Sequence, residues 1–90
     1  LILNLIGVQF NITPNPNEGL FDIQYNLEKQ TDIKIKLISL DGQIVLEKSI
    51  LNQSKGNHVE KINFGDFPAG VYICQINNQN GVYSQKIIKF

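Results

Sequence analysis

The sequence has no methionine and no tryptophan, and only one cysteine and one histidine in ninety residues. Each scarcity excludes something. A single cysteine, Cys74, allows neither an internal disulfide nor a structural zinc ribbon, so the core must hold the chain by itself. A chain without methionine reads as a piece cut from a longer protein. No charge predominates: eight basic residues balance eight acidic ones, which removes the field expected of a nucleic-acid or anionic-membrane binder. No apolar run approaches the roughly 18 residues that span a bilayer, so no transmembrane segment is expected. The opening Leu1-Ile2-Leu3-Asn4-Leu5-Ile6 is apolar but lacks the basic start and small-residue cleavage site of a signal peptide. Ninety residues make one domain with a thin core, burying roughly 60–65% of its unfolded surface, and a deep catalytic cleft is not expected.

Chemistry-bearing patterns are equally sparse. The acids Asp22, Asp32, Asp41 and Asp66 stand one to a turn or strand edge. No acidic calcium loop and no glycine-rich phosphate loop occurs, so neither metal nor cofactor is expected. His58 is the one candidate imidazole base and reads as an exposed residue at the start of a strand. Cys74 shares a strand face with Tyr72 and Ile76, where a thiol behaves as a small hydrophobe. Pairing the two would need adjacent strands in register and an orienting carboxylate, and nothing in the sequence supplies that. The sequence predicts no catalytic residue and no enzyme.

What the sequence does contain is period two. Apolar and polar residues alternate in Phe21-Asp22-Ile23-Gln24-Tyr25-Asn26 and in Ile33-Lys34-Ile35-Lys36-Leu37, the pattern of strands with one face on a core and one in water. Further β-rich runs lie near Val8–Thr13, Gln43–Lys48, His58–Phe64, Val71–Ile76 and Val82–Ile88. Asp41-Gly42 and Asn80-Gly81 suit type I′ turns and predict two hairpins. Ser54-Lys55-Gly56-Asn57 marks a looser loop, and Phe67-Pro68-Ala69-Gly70 a sharp return. Seven short strands with regular turns predict an all-β, immunoglobulin-like antiparallel β-sandwich.

Two prolines one residue apart, Pro14-Asn15-Pro16, precede Gly19 and the Phe21 strand. Proline fixes φ near −65° and biases the preceding residue, here Thr13 and Asn15, away from the α region. With Gly19 free to take a positive φ, the segment predicts a rigid corner between the first two strands. Two surface features complete the reading. Tyr25, Tyr72 and Tyr83 offer a carbohydrate-stacking platform, or else a core contribution with Tyr72 and Tyr83 as a cross-strand pair. The final run Gln85-Lys86-Ile87-Ile88-Lys89-Phe90 reads as an edge strand flanked by lysines.

Four landmarks in order make the chain resemble the type A C-terminal sorting domain of the type IX (Por) secretion system of Bacteroidetes. They are Pro14-Asn15-Pro16 with Gly19, Leu40-Asp41-Gly42-Gln43-Ile44-Val45, Phe67-Pro68-Ala69-Gly70-Val71-Tyr72, and the closing run from Gly81 to Lys86-Ile87-Ile88-Lys89. Thr13 stands where the family often has an aromatic residue and Phe67 where leucine is usual; neither is a turn position. The resemblance covers residues 8–90 and leaves 1–7 as a linker or the end of a preceding region. It implies fold-defining roles for Pro14, Asn15, Pro16, Gly19, Asp41, Gly42, Pro68, Gly70 and Tyr72. It implies translocon recognition by Gly81, Tyr83, Lys86, Ile87, Ile88, Lys89 and Phe90. The physics of sheet edges, apart from the resemblance, adds the expectation that an exposed final strand joins a partner's sheet edge. Its implied partners are an N-terminal cargo, the outer-membrane translocon and a sortase-like protease cutting around Leu1–Gly7. The implied route is the periplasm, then the cell surface or medium. The alternative is a carbohydrate-binding or spacer sandwich module of a surface enzyme or adhesin. Position in the protein separates the two, since a sorting domain must end its chain.

Overall fold

The alternating runs become strands in two facing sheets. The computed structural model describes residues 8–79 and 81–90; the expected linker and processing region, residues 1–7, lies outside them, as does Asn80. Seven strands are present among the described residues: β1 Val8–Thr13, β2 Leu20–Leu27, β3 Thr31–Ser39, β4 Ile44–Gln53, β5 Gly56–Asn63, β6 Gly70–Asn78 and β7 Gly81–Lys89. All pair antiparallel, in one sheet of order β1-β2-β5 and another of order β4-β3-β6-β7. The fourth strand joins the third, so the halves are three plus four rather than the four plus three of an antibody constant domain.

Alternation places the core between the sheets. β2 turns Phe21, Ile23, Tyr25 and Leu27 inward, and β3 answers with Ile33, Ile35 and Leu37. Tyr72, Cys74 and Ile76 of β6 and Ile87 of β7 extend the layer, and Phe64 fills the end beyond β5. Fully burying one such side chain contributes about 1.5–3 kcal/mol, which is how a chain with no disulfide holds together.

The connections depart from expectation in two places. The Asp41-Gly42 hairpin forms, but not as a type I′ turn. Gly42 has φ of 87° while Asp41 is not among the residues with positive φ. Ser39 N–H donates to Gln43 O (2.9 Å) and Gly42 N–H to Ser39 O (3.0 Å), enclosing the three-residue loop Leu40-Asp41-Gly42. A left-handed glycine after a tight turn is the usual three-residue solution. The looser loop shrinks to Ser54-Lys55, because β4 runs on to Gln53 and β5 starts at Gly56. Within that extension Asn52 takes φ of 56°, and its N–H donates to Asp32 Oδ1 (2.8 Å).

Candidate functional site

The expected recognition strand, β7, is one of the two edge strands of the four-stranded sheet. Its inner edge pairs with β6 along its whole length, Gly70 facing Lys89 and Asn78 facing Gly81. Its faces alternate, so the Ile87-Ile88 pair divides. Ile87 is 0% exposed in the core, opposite Tyr72, while Ile88 is 37% exposed on the outside. Lys86 is exposed, Lys89 half-buried, and Phe90 is 66% exposed. Tyr83 is half-buried, packs on Phe10 with ring centroids 5.1 Å apart, and donates its hydroxyl to Gln85 Oε1 (2.8 Å). Burial raises the Tyr83 phenol above its ordinary range, with Cys74 adding to the effect. Gly81 sits at the head of the strand, its N–H bonded to Asn78 Oδ1 (3.1 Å).

The outer edge of β7 is not bare. The segment between β1 and β2 lies along it. Asn15 Nδ2 donates to Lys86 O (2.8 Å), and Asn15 Oδ1 accepts from Ile88 N–H (2.9 Å). Asn17 N–H donates to Ile88 O (2.9 Å), and Phe90 N–H donates to Asn17 O (2.9 Å), making a parallel bridge between Asn17 and Lys89. In an antiparallel strand alternate residues direct both main-chain groups to the same side. The outward groups are therefore those of Val82, Ser84, Lys86, Ile88 and Phe90. The segment satisfies Lys86 C=O, both groups of Ile88 and Phe90 N–H. The edge of Val82 and Ser84, with Lys86 N–H, has no partner among the described residues.

Two local features hold that segment in place. Asn17, 3% exposed, spends its side chain on its own turn: Oδ1 accepts from Gly19 N–H (2.8 Å) and Nδ2 donates to Pro14 O (3.0 Å). Gly19 has φ of 114°, as expected, and a Cβ there would lie 2.6 Å from Gly65 Cα. Thr13-Pro14 and Asn15-Pro16 are both cis. Pro14, Asn15 and Pro16 are exposed, so the corner is a surface strap rather than a core plug. Asn17 went unread in the sequence; the signal was Asn-x-Gly, the spacing at which an asparagine side chain caps an N–H two residues on.

The Pro68–Tyr72 landmark is a second anchor. Tyr72, 5% exposed, donates its hydroxyl to Pro68 O and meets Phe64 edge-on at 5.0 Å. Tyr72 lies near the start of β6, two residues before Cys74, with its hydroxyl tied back to the chain upstream. That is the tyrosine corner of immunoglobulin-like sandwiches. Asp41 binds the Ser39 hydroxyl, and that bond, followed by the one from Gln43 N–H, holds its carboxyl below the ordinary range.

The remaining sequence candidates do not converge. Tyr25 and Tyr72, 4% and 5% exposed, face inward from opposite sheets, so the carbohydrate platform is not formed. Nor are Tyr72 and Tyr83 a cross-strand pair: Tyr72 opposes Ile87 and Tyr83 opposes Ile76. Tyr25 is pushed up to about 12 by burial, with Glu60 adding to it. Cys74 is fully buried, and desolvation pushes its thiol up to about 12, the state of an unreactive core residue. His58 is half-buried rather than exposed. Its Nε2–H donates to Ser54 O (2.6 Å), Nδ1 accepts from Gln53 Nε2 (2.9 Å), and the ring packs 5.4 Å from Tyr25. His58 and Cys74 belong to different sheets.

A family model described as the secretion system C-terminal sorting domain matches residues 11–90. The chain belongs to the type IX sorting-domain family. The matched span takes in every landmark of the sorting domain named above, from the Pro14–Asn17 strap to Phe90. No curated protein matches the chain. Among the described residues of this sorting domain, no helix is long and apolar enough to cross a membrane.

Proposed function

We propose that this domain directs an N-terminally attached cargo through the type IX outer-membrane translocon, from the periplasm to the cell surface or medium. A sortase-like protease then removes it by a cut before β1, in residues 1–7. Residues 8–90 are the folded address; the domain itself is not catalytic. The observation that carries this reading is the family match, which runs from within β1 to Phe90, just past β7. The geometry supports one mode of recognition through β7. The machinery would meet the open half-edge at Val82, Ser84 and Lys86, beside the exposed side chains of Lys86, Ile88 and Phe90, whereas Ile87 acts from within the core. Lys89 lies beside the strap, and Gly81 with Tyr83 set the hairpin that presents the strand.

Deleting Lys86–Phe90 is a poor test, because it removes Ile87 from the core and the strap's partners with it. Ser84→Pro is cleaner. The Ser84 N–H points outward, and proline is tolerated on an edge strand at such a position. Each form is fused behind a periplasm-targeted fluorescent reporter in a bacterium with a working type IX system, and surface and periplasmic fractions are weighed by mass spectrometry. The unaltered domain is expected to carry the reporter out and to be cut off before β1. Ser84→Pro is expected to reduce export at least tenfold while remaining folded. Reporter retained inside with the unaltered domain intact would overturn the sorting role; undiminished export of Ser84→Pro would overturn the edge-reading mode alone.

A further inference from the structure

Each β7 edge is a row of main-chain donors and acceptors, a template for pairing with any extended chain, and a second copy brings an identical one. Two such edges related by a two-fold axis are self-complementary in antiparallel pairing. What occupies the edge here is a bent segment of the same molecule, bonded at Lys86, Ile88 and Phe90. That segment is unsuited to carry the sheet further. Asn17 turns its main-chain groups toward β7, and the flanking Pro16 has no N–H, nor has Pro14, to offer a strand arriving from outside.

From this we infer that the Pro14–Asn17 strap is an edge-closing clasp that keeps the domain monomeric by excluding the β7 of a second copy. With the clasp shut, two copies could pair only over Val82–Lys86, too short to hold two molecules together. With it open, the edge lengthens to Phe90 and gains Ile88 and Phe90, the apolar side chains exposed at that end. The device works by mimicry: one asparagine side chain supplies the donor and acceptor that a neighbouring strand's peptide would supply, and the next asparagine's main chain continues the row. The inference stands apart from the sorting role, since it concerns the folded domain alone.

Asn15→Ala tests it. Asn15 is exposed, and its side chain supplies two of the four clasp bonds, so the sandwich should survive. Hydrogen exchange is followed at Ile88, and sedimentation velocity is run over a concentration series. Exchange at Ile88 is expected to rise about tenfold, as for loss of roughly 1.4 kcal/mol. The variant is expected to associate at a concentration at least tenfold below that at which the unaltered domain does. Adding Ser84→Pro should return it to monomer, because proline blocks the same edge. The clasp is overturned if Ile88 is freed and the variant stays as monomeric as the parent. It is equally overturned if Ile88 exchange does not change, or if association persists undiminished with Ser84→Pro.

Discussion

The two edges of the four-stranded sheet are closed by different means. β4 and β7 both flank the β3-β6 pair, and among the described residues neither has a second strand along its outer edge. β4 is defended by charge and irregularity. Lys48 sits opposite Ile35, a core position, and reaches across to Glu60 of the other sheet at 3.1 Å. Lys34 and Glu47 meet at 3.5 Å on the outer face, and the register slips twice along the β3-β4 pair. An inward-pointing lysine and broken register make a poor template for a further strand. β7 is instead covered by main-chain and amide bonds from the opposite end of the chain. Charge repels any newcomer and leaves the edge itself open, whereas a clasp fills it. The difference suits a strand proposed to be read: among the described residues the strap covers one half of the edge and nothing covers the other.

The sharpest way to break this comparison is from the core side. Ile87 of β7 is 0% exposed, while Ile50 of β4 is only partly buried. Ile87→Ala should destabilise the domain by about 2–5 kcal/mol, and Ile50→Ala by roughly half as much, since less apolar surface is returned to water. Chemical denaturation of both variants measures this. Equal losses would mean that β4 is as firmly seated as β7 and that the clasp adds nothing to the seating.

Next in size is the hinge of the clasp. Gly19→Ala forces a left-handed φ on alanine and drives its Cβ into the Gly65 backbone, where no flexible side chain can yield. A loss of roughly 1–3 kcal/mol is expected. Faster exchange at Ile88 and Phe90, with the β3-β4 hairpin unaffected, would place the damage in the clasp. Stability equal to the parent's would show that the strap tolerates movement.

This pairing of Gly19 with β7 also marks what was legible in the sequence. Strand number, faces and fold class follow from alternation, which is local, and the burial of Cys74 follows from the company it keeps on its face. The positive φ of Gly19 was legible as well. The clasp was not, because Asn15 and Lys86 are 71 residues apart and no period connects them. Sequence pattern identified Pro14-Asn15-Pro16 as a corner; only the fold makes it the neighbour of the last strand. The His58 environment was missed for a similar reason: lengthening β4 brings Gln53 and Ser54 round to the imidazole. The type I′ turn was a near miss, since Asp-Gly also serves a three-residue loop when only the glycine turns left-handed.

The smallest effect separates the two edges by pH. The clasp consists of amides and main-chain groups, none of which titrates. The β3-β4 hairpin depends in part on Asp41, whose carboxylate is favoured by the Ser39 hydroxyl and then by Gln43 N–H. Its folded pKa lies below the ordinary carboxylate value. The stability it contributes is therefore present above that ordinary value and is lost as pH falls through the lowered folded one. Acid should loosen the Leu40-Asp41-Gly42 loop while leaving Ile88 and Phe90 protected. Amide shifts and exchange rates at Gln43 and Ile88, followed from pH 7 down to about 3, read both ends in one titration, and Asp41→Asn should abolish the response at Gln43. Simultaneous loosening of both would mean that the edges communicate through the sheet, and that the clasp is held shut by more than its own four bonds.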